Sequence, residues 1–186
     1  MFIAFEGPDE VGKSTSAKAL ASGDPIYNAT KANHAEAGAA AENGTVVTFD
    51  RIDWLTHMVY RLAMPERDWD DDRPRTVFAM PDTHLVLKMH HPTRAVEIEA
   101  VGEGYAPGRI QEVNEMYFHQ IDFLARINRA KGYQLFKSVS VVEVWNDRVH
   151  GVFEQRMISH DSAPFGTYES VGMRIVYSDE PRLIGE

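Results

Sequence analysis

Gly7-Pro8-Asp9-Glu10-Val11-Gly12-Lys13-Ser14-Thr15 follows the pattern G-x-x-x-x-G-K-S/T, and the residues on either side decide how it is read. Phe2-Ile3-Ala4-Phe5 ahead of it is an apolar run of the length of a buried parallel strand, and Ser14 to Ala21 behind it predicts a helix. Strand, glycine loop and helix in that order form the context in which this motif holds phosphate. Gly7 and Gly12 permit positive φ and present no Cβ, so successive backbone N–H groups can turn inward around a polyphosphate. Lys13 adds a point charge for the terminal phosphates, and the helix start adds unpaired N–H groups and the positive end of its dipole. The Ser14 hydroxyl has the type and position to ligate Mg²⁺. The whole stretch Gly7 to Thr15 is therefore the expected segment for binding a nucleoside triphosphate.

The rest of the chain limits what can surround that loop. Its 186 residues suit one α/β domain and are short for two. With 44% hydrophobic and 25% charged residues the composition is that of a soluble globular protein, with no run long enough to span a membrane and no basic lead typical of a signal peptide. The chain has no cysteine, which excludes disulfides and thiolate metal sites and fits a cytoplasmic location. A net charge of −9 opposes non-specific binding to nucleic acid or anionic lipid.

Periodicity predicts alternating strands and helices. Pro25 to Ala29 reads as a short strand, Lys31 to Glu42 as an alanine-rich helix, and Thr45 to Phe49 as a second central strand with Asp50-Arg51 at its carboxyl end, where parallel sheets place ligands. Ile52 to Met64 has helical spacing, and Glu66 to Arg75 reads as a charged surface loop. A third strand over Thr83 to Met89, a helix opening at His91-Pro92-Thr93, and a glycine-rich lid or hinge over 102–108 follow. A long helix from Arg109 to Ala130 and a fourth strand over Ser138 to Val144 come next. Asn146 or Asp147 then caps an expected helix through Met157, and Met173 to Tyr177 reads as strand. The expected fold class is α/β, a three-layer α/β/α domain with a mostly parallel sheet over 1–157, followed by an extension over 158–186 packed on the same domain.

Phe5-Glu6-Gly7-Pro8-Asp9 through Gly12-Lys13-Ser14-Thr15, together with Asp50-Arg51 after a strand, resembles the thymidylate kinases and the wider group of P-loop deoxynucleoside and deoxynucleotide kinases. The resemblance implies ATP as co-substrate, Mg²⁺, a small nucleotide as acceptor, and leaves a homodimer open. It implies that Glu6 closes the first strand, that Asp9 contacts the acceptor's sugar, that Asp50 stands near Mg²⁺ or the acceptor, and that Arg51 bridges donor and acceptor phosphates. A guanidinium can hold two phosphate oxygens at once, which suits that last role.

The chain departs from the family in two places. Some thymidylate kinases carry a catalytic arginine inside the loop where this chain has Glu10, so the resemblance moves that role to a lid arginine, Arg109 first and Arg94 second. Such an arginine is typically worth about 10³ to 10⁵ in rate. The Arg-Glu-Pro-Gly-Gly type segment is also absent, with Tyr27-Asn28-Ala29-Thr30 in its place, so an acceptor pocket must be built otherwise. Trp54, His57, Tyr60 and Tyr117 are the candidates, with core packing as the competing role for each. The expected activity is phosphoryl transfer to a deoxynucleoside monophosphate. A nucleoside or DNA-base hydroxymethyl kinase, with Asp50 as base, and a nucleotide-dependent switch or assembly ATPase are the alternatives. The acidic run Asp68 to Asp72 is interleaved with arginines and reads as solvated, and His84, His90 and His91 lack zinc spacing and read as structural or surface residues.

Overall fold

A computed structural model describes residues 2–41, 46–68, 76–101, 108–129, 134–147, 152–161, 174–177 and 181–184. The strands are β1 (Phe2–Glu6), β2 (Ile26–Ala29), β3 (Val47–Ile52), β4 (Met80–His90), β5 (Phe136–Asp147), β6 (Val152–Asp161), β7 (Arg174–Tyr177) and β8 (Pro181–Ile184). The helices are α1 (Lys13–Ala21), α2 (Lys31–Ala41), α3 (Asp53–Ala63), α4 (Pro92–Val101) and α5 (Ile110–Arg129). One sheet of eight strands holds them in the order β2-β3-β1-β4-β5-β6-β7-β8. The first five strands in that order are parallel, and β5 to β8 pair antiparallel.

The layers follow from strand alternation. Phe2, Ala4 and Glu6 share one face of β1, and Glu6 reaches Thr56 of α3 and Tyr117 of α5, so these helices cover that face. Phe5 and its register partner Val86 lie on the other face with Lys88, which reaches Ser16 of α1. Between them β1 and β4 are sandwiched, and their apolar residues Ala4, Leu85, Leu87 and Met89 are sealed from solvent together with Phe49, Val139 and Val141 of their neighbours. Strands buried on both faces read as apolar runs rather than alternations, which is why the sequence marks them clearly.

One expected element is corrected. The described residues of 146–157 are strand and not helix: β5 extends to Asp147 and β6 begins at Val152, and the two form an antiparallel ladder from Val139 opposite Asp161 to Asp147 opposite Val152. Helical spacing of a few apolar residues is a weak local preference, and a long ladder with an already formed strand overrides it. The expected boundary at 157 falls inside β6. The lid segment expected over 102–108 lies outside the described residues apart from Gly108, and the charged loop after Glu66 lies outside them from 69 onward.

Gly7 ties the sheet to the loop. Its φ is +143°, and a Cβ there would lie 2.0 Å from the backbone oxygen of Lys88 on β4. Backbone contacts that close cannot be relieved by a side-chain rotation. Gly7→Ala should therefore lower unfolding free energy by roughly 3 kcal/mol or more, measured by urea denaturation; a loss under about 1 kcal/mol would show that the loop does not pass this close to β4.

Candidate functional site

The segment from Gly7 to Gly12 leaves β1 and enters α1 in a curl whose backbone is left-handed at Glu10, φ 58°, and at Gly12, φ 75°. What holds that curl is a set of donors aimed at its carbonyls. The Lys13 ammonium donates to the carbonyl of Pro8, and the His90 Nε2 donates to that of Asp9 at 2.7 Å. Arg94 Nη2 donates to Glu10 O at 2.7 Å, and Lys88 Nζ to Gly12 O at 2.9 Å. With its carbonyls of Pro8, Asp9, Glu10 and Gly12 so engaged, the curl is held in shape, and a curl of consecutive amides is the kind of element that makes an anion-binding nest.

The anchors are themselves fixed from behind. Asn114 of α5, 4% exposed, accepts from the backbone N–H of His90 at 2.9 Å and donates to its carbonyl at 3.0 Å. The His90 ring then accepts from Arg94 Nε at Nδ1, 3.1 Å away, so the proton it gives to Asp9 sits on Nε2. Burial, only partly offset by the bond to Asp9, draws His90 down to about 4, and the ring stays neutral near pH 7 in the tautomer this geometry needs. Arg94 is thus a buried clamp on the loop rather than a residue of a lid. Sequence spacing offered no signal for Lys88 or for this use of His90, because both depend on β4 lying beside β1.

Glu6 is the second organising group. Fully buried, its Oε1 accepts from Gly7 N at 3.1 Å and from the Tyr117 hydroxyl at 3.0 Å, while Oε2 accepts from Ile52 N at 2.9 Å and from Thr56 Oγ1 at 2.6 Å. One carboxylate therefore joins the loop, β3, α3 and α5. Burial and then Glu6 hold the Tyr117 hydroxyl well above its usual range, so it remains a donor.

At the carboxyl end of β3 the sequence-expected pair Asp50-Arg51 reaches the loop from beside it. Ser14 Oγ donates to Asp50 Oδ2 at 2.6 Å, and Asp50 Oδ1 is buried with no hydrogen-bond partner. Adjacent corners of a Mg²⁺ octahedron lie about 2.9 Å apart, close to this oxygen pair, and Mg²⁺ commonly takes one or two protein oxygens with phosphates and water completing its shell. Ser14 and Asp50 would hold the ion.

Arg51 occupies a bulge. Between the pairs Tyr27 opposite Phe49 and Ala29 opposite Ile52, β3 carries one residue more than β2, and Arg51 takes φ 79° there. A left-handed arginine costs on the order of 1 kcal/mol or more, and bulges of this kind re-aim side chains beside functional sites. Here the guanidinium turns to Asp9 Oδ1 at 2.5 Å and lies 5.9 Å from the centroid of the Tyr60 ring. It remains 29% exposed, so its outer edge is open to a ligand.

The other candidates are placed elsewhere. Trp54, 2% exposed, stacks on Phe136 in the core, and Tyr117 and Tyr60 are equally buried, meeting edge to face with centroids 6.5 Å apart. These positions correct the expectation that Trp54 and Tyr117 line an acceptor pocket: the first supports the sheet and the second supports Glu6. His57 lies 3.4 Å from Arg61 along α3. Arg109 pairs with Glu66 and donates to Ala63 O at 3.0 Å, capping the end of α3, with no contact to the loop.

Loop, strand order and the Ser14–Asp50 pair define a phosphate-loop α/β/α protein with the architecture of P-loop NTPases. No protein-family model matches the sequence, and no curated protein matches it. Among solved structures, the chain is similar to the YorR protein of Bacillus subtilis, a crystal structure in complex with phosphorylated GDP, with 20% identity and a TM-score of 0.42 over 66% of this chain and 80% of that one. A KaiC-like protein from Pyrococcus horikoshii gives 11% identity and a TM-score of 0.28 over 99% of this chain and 89% of that one.

Removing Glu6 separates the two duties of its carboxylate. Glu6→Gln presents an N–H where two donors now point, and should cost roughly 2 to 3 kcal/mol in urea unfolding, against about 1 kcal/mol for Tyr117→Phe, which deletes one donor. Equal small losses for both variants would show that Glu6 does not join these elements.

Proposed function

We propose that the protein binds Mg²⁺-ATP and transfers the γ-phosphoryl group to a deoxynucleoside monophosphate. The observation that carries this reading is Arg51, turned out of the regular strand by a bulge and held by Asp9 beside a phosphate loop whose Ser14 is already paired with Asp50. Transfer of this kind needs positioning and charge neutralisation more than covalent help. The loop amides and Lys13 would hold the donor, Ser14 and Asp50 the metal, and the open edge of Arg51 an acceptor phosphate. The bound ion would neutralise charge on the phosphate oxygens and fix their orientation. Asp9, facing Arg51, would meet the acceptor's sugar.

A phosphate acceptor is already ionised and needs no general base, whereas an uncharged hydroxyl does. Asp50 is committed to Ser14 through one oxygen, which favours the metal role over the base role and the monophosphate over the hydroxyl acceptor. The base of the acceptor is left open by the burial of Trp54 and Tyr117.

The decisive experiment offers ATP and Mg²⁺ with a panel of nucleosides and monophosphates, and follows products by phosphorus NMR. Formation of a nucleoside diphosphate from a monophosphate is expected, with Lys13→Ala slower by about 100-fold or more and Arg51→Met losing a comparable factor. ATP consumption without any phosphorylated acceptor would sink the kinase reading in favour of a nucleotide-dependent switch. Turnover of uncharged hydroxyls alone would replace the monophosphate with a nucleoside or hydroxymethyl base.

A further inference from the structure

Lys88 is a buried cation that the proposed transfer leaves unused. It sits on β4 directly under the loop, 1% exposed, with its ammonium donating to Gly12 O at 2.9 Å and to Ser16 Oγ at 2.8 Å. A Cβ placed on Gly12 would lie 3.4 Å from this nitrogen, so the charge is in contact with the loop backbone. The charged groups that act on it are Lys13 at the start of α1 and Arg94 from α4, and the neutral His90 stands two residues along its own strand. Asp50 on β3 is turned to Ser14, and Asp9 to Arg51. Burial first, then Lys13 and Arg94, draw Lys88 down to about 7. A buried ammonium close enough to two further cations to feel their charge is unfavourable, and an anion held by the loop relieves it.

We propose that Lys88 is a second buried cation of the phosphate site: it positions the loop by holding Gly12 from below, and its charge strengthens the attraction of the loop for a polyphosphate. The inference rests on the triphosphate reading above and is independent of which acceptor is used. It has a signed consequence. A bound polyanion favours charged Lys88, so its pKa is higher in the complex than in the free protein. The contribution to affinity is complete below the free value near 7 and is lost as the pH rises through the value in the complex, with a proton taken up on binding in between.

The test titrates wild type and Lys88→Met with a non-hydrolysable ATP analogue by calorimetry. It is run in EDTA so that no divalent cation enters, between about pH 6 and 9, in buffers of different ionisation enthalpy. The ligand's own ionisation is common to both proteins. Wild type should bind about tenfold tighter than the variant at the acid end, take up more protons near neutrality, and converge on the variant as the pH rises. Lys88→Arg, charged throughout, should recover the affinity with the flat profile of the variant. If Lys88→Met does not unfold cooperatively, Lys88→Gln, which keeps a donor and lacks the charge, carries the same comparison. Equal affinity and equal proton uptake in wild type and uncharged variants would overturn the role of Lys88 alone. A wild type that binds no analogue at any pH, in EDTA or with Mg²⁺ added, would overturn the triphosphate reading and this inference with it.

Discussion

A carboxylate with four donors and no exposure is the contact on which the rest of the molecule depends. Burying such a group costs several kcal/mol unless its lone pairs are filled, and Glu6 fills them with a loop amide, a strand amide, a threonine and a tyrosine from four separate elements. None of these partners can leave without exposing the others to the same cost. The loop that follows Glu6, the bulge that turns Arg51, and the two helices covering that face are therefore set relative to one another by a single side chain. Arg51 and Asp9 can meet because each lies within two residues of a backbone N–H held by Glu6, those of Ile52 and Gly7.

The second determinant works on the opposite face of the same strands. Lys88, His90 and Arg94 come from one short stretch of β4 and α4, and all three act on carbonyls of the loop. Asn114 then fixes the backbone of His90 from α5. The phosphate loop is consequently supported by groups far away in sequence.

How much of this could be read in advance follows from the range of each interaction. The phosphate loop, the parallel strands and the long helix were legible because their signals are local: glycines at fixed spacing, β-branched runs, and an apolar stripe. Asp50-Arg51 was legible because it ends a strand, although the bulge that aims Arg51 was not, since it exists only in the pairing of β3 with β2. The β5–β6 hairpin was misread as a helix for a similar reason: its ladder is formed with a partner strand, and only local spacing was visible. The aromatic candidates failed because residue type cannot distinguish a ring that stacks on a ligand from one that stacks on Phe136. Lys88 gave no sign at all, as a lysine in a strand looks like an exposed one until its neighbours are known.

Lys13, Lys88, His90 and Arg94 each grip a main-chain oxygen of the loop, a group that all amino acids possess. The identities of the side chains at Pro8, Asp9 and Glu10 are thereby uncoupled from the shape of the curl that carries them. Evolution can exchange an acid for a base at position 10, or retune what Asp9 greets, without rebuilding the scaffold beneath. In this fold, stability is written into β4 and α4, and the loop itself is left as editable text for choosing a substrate.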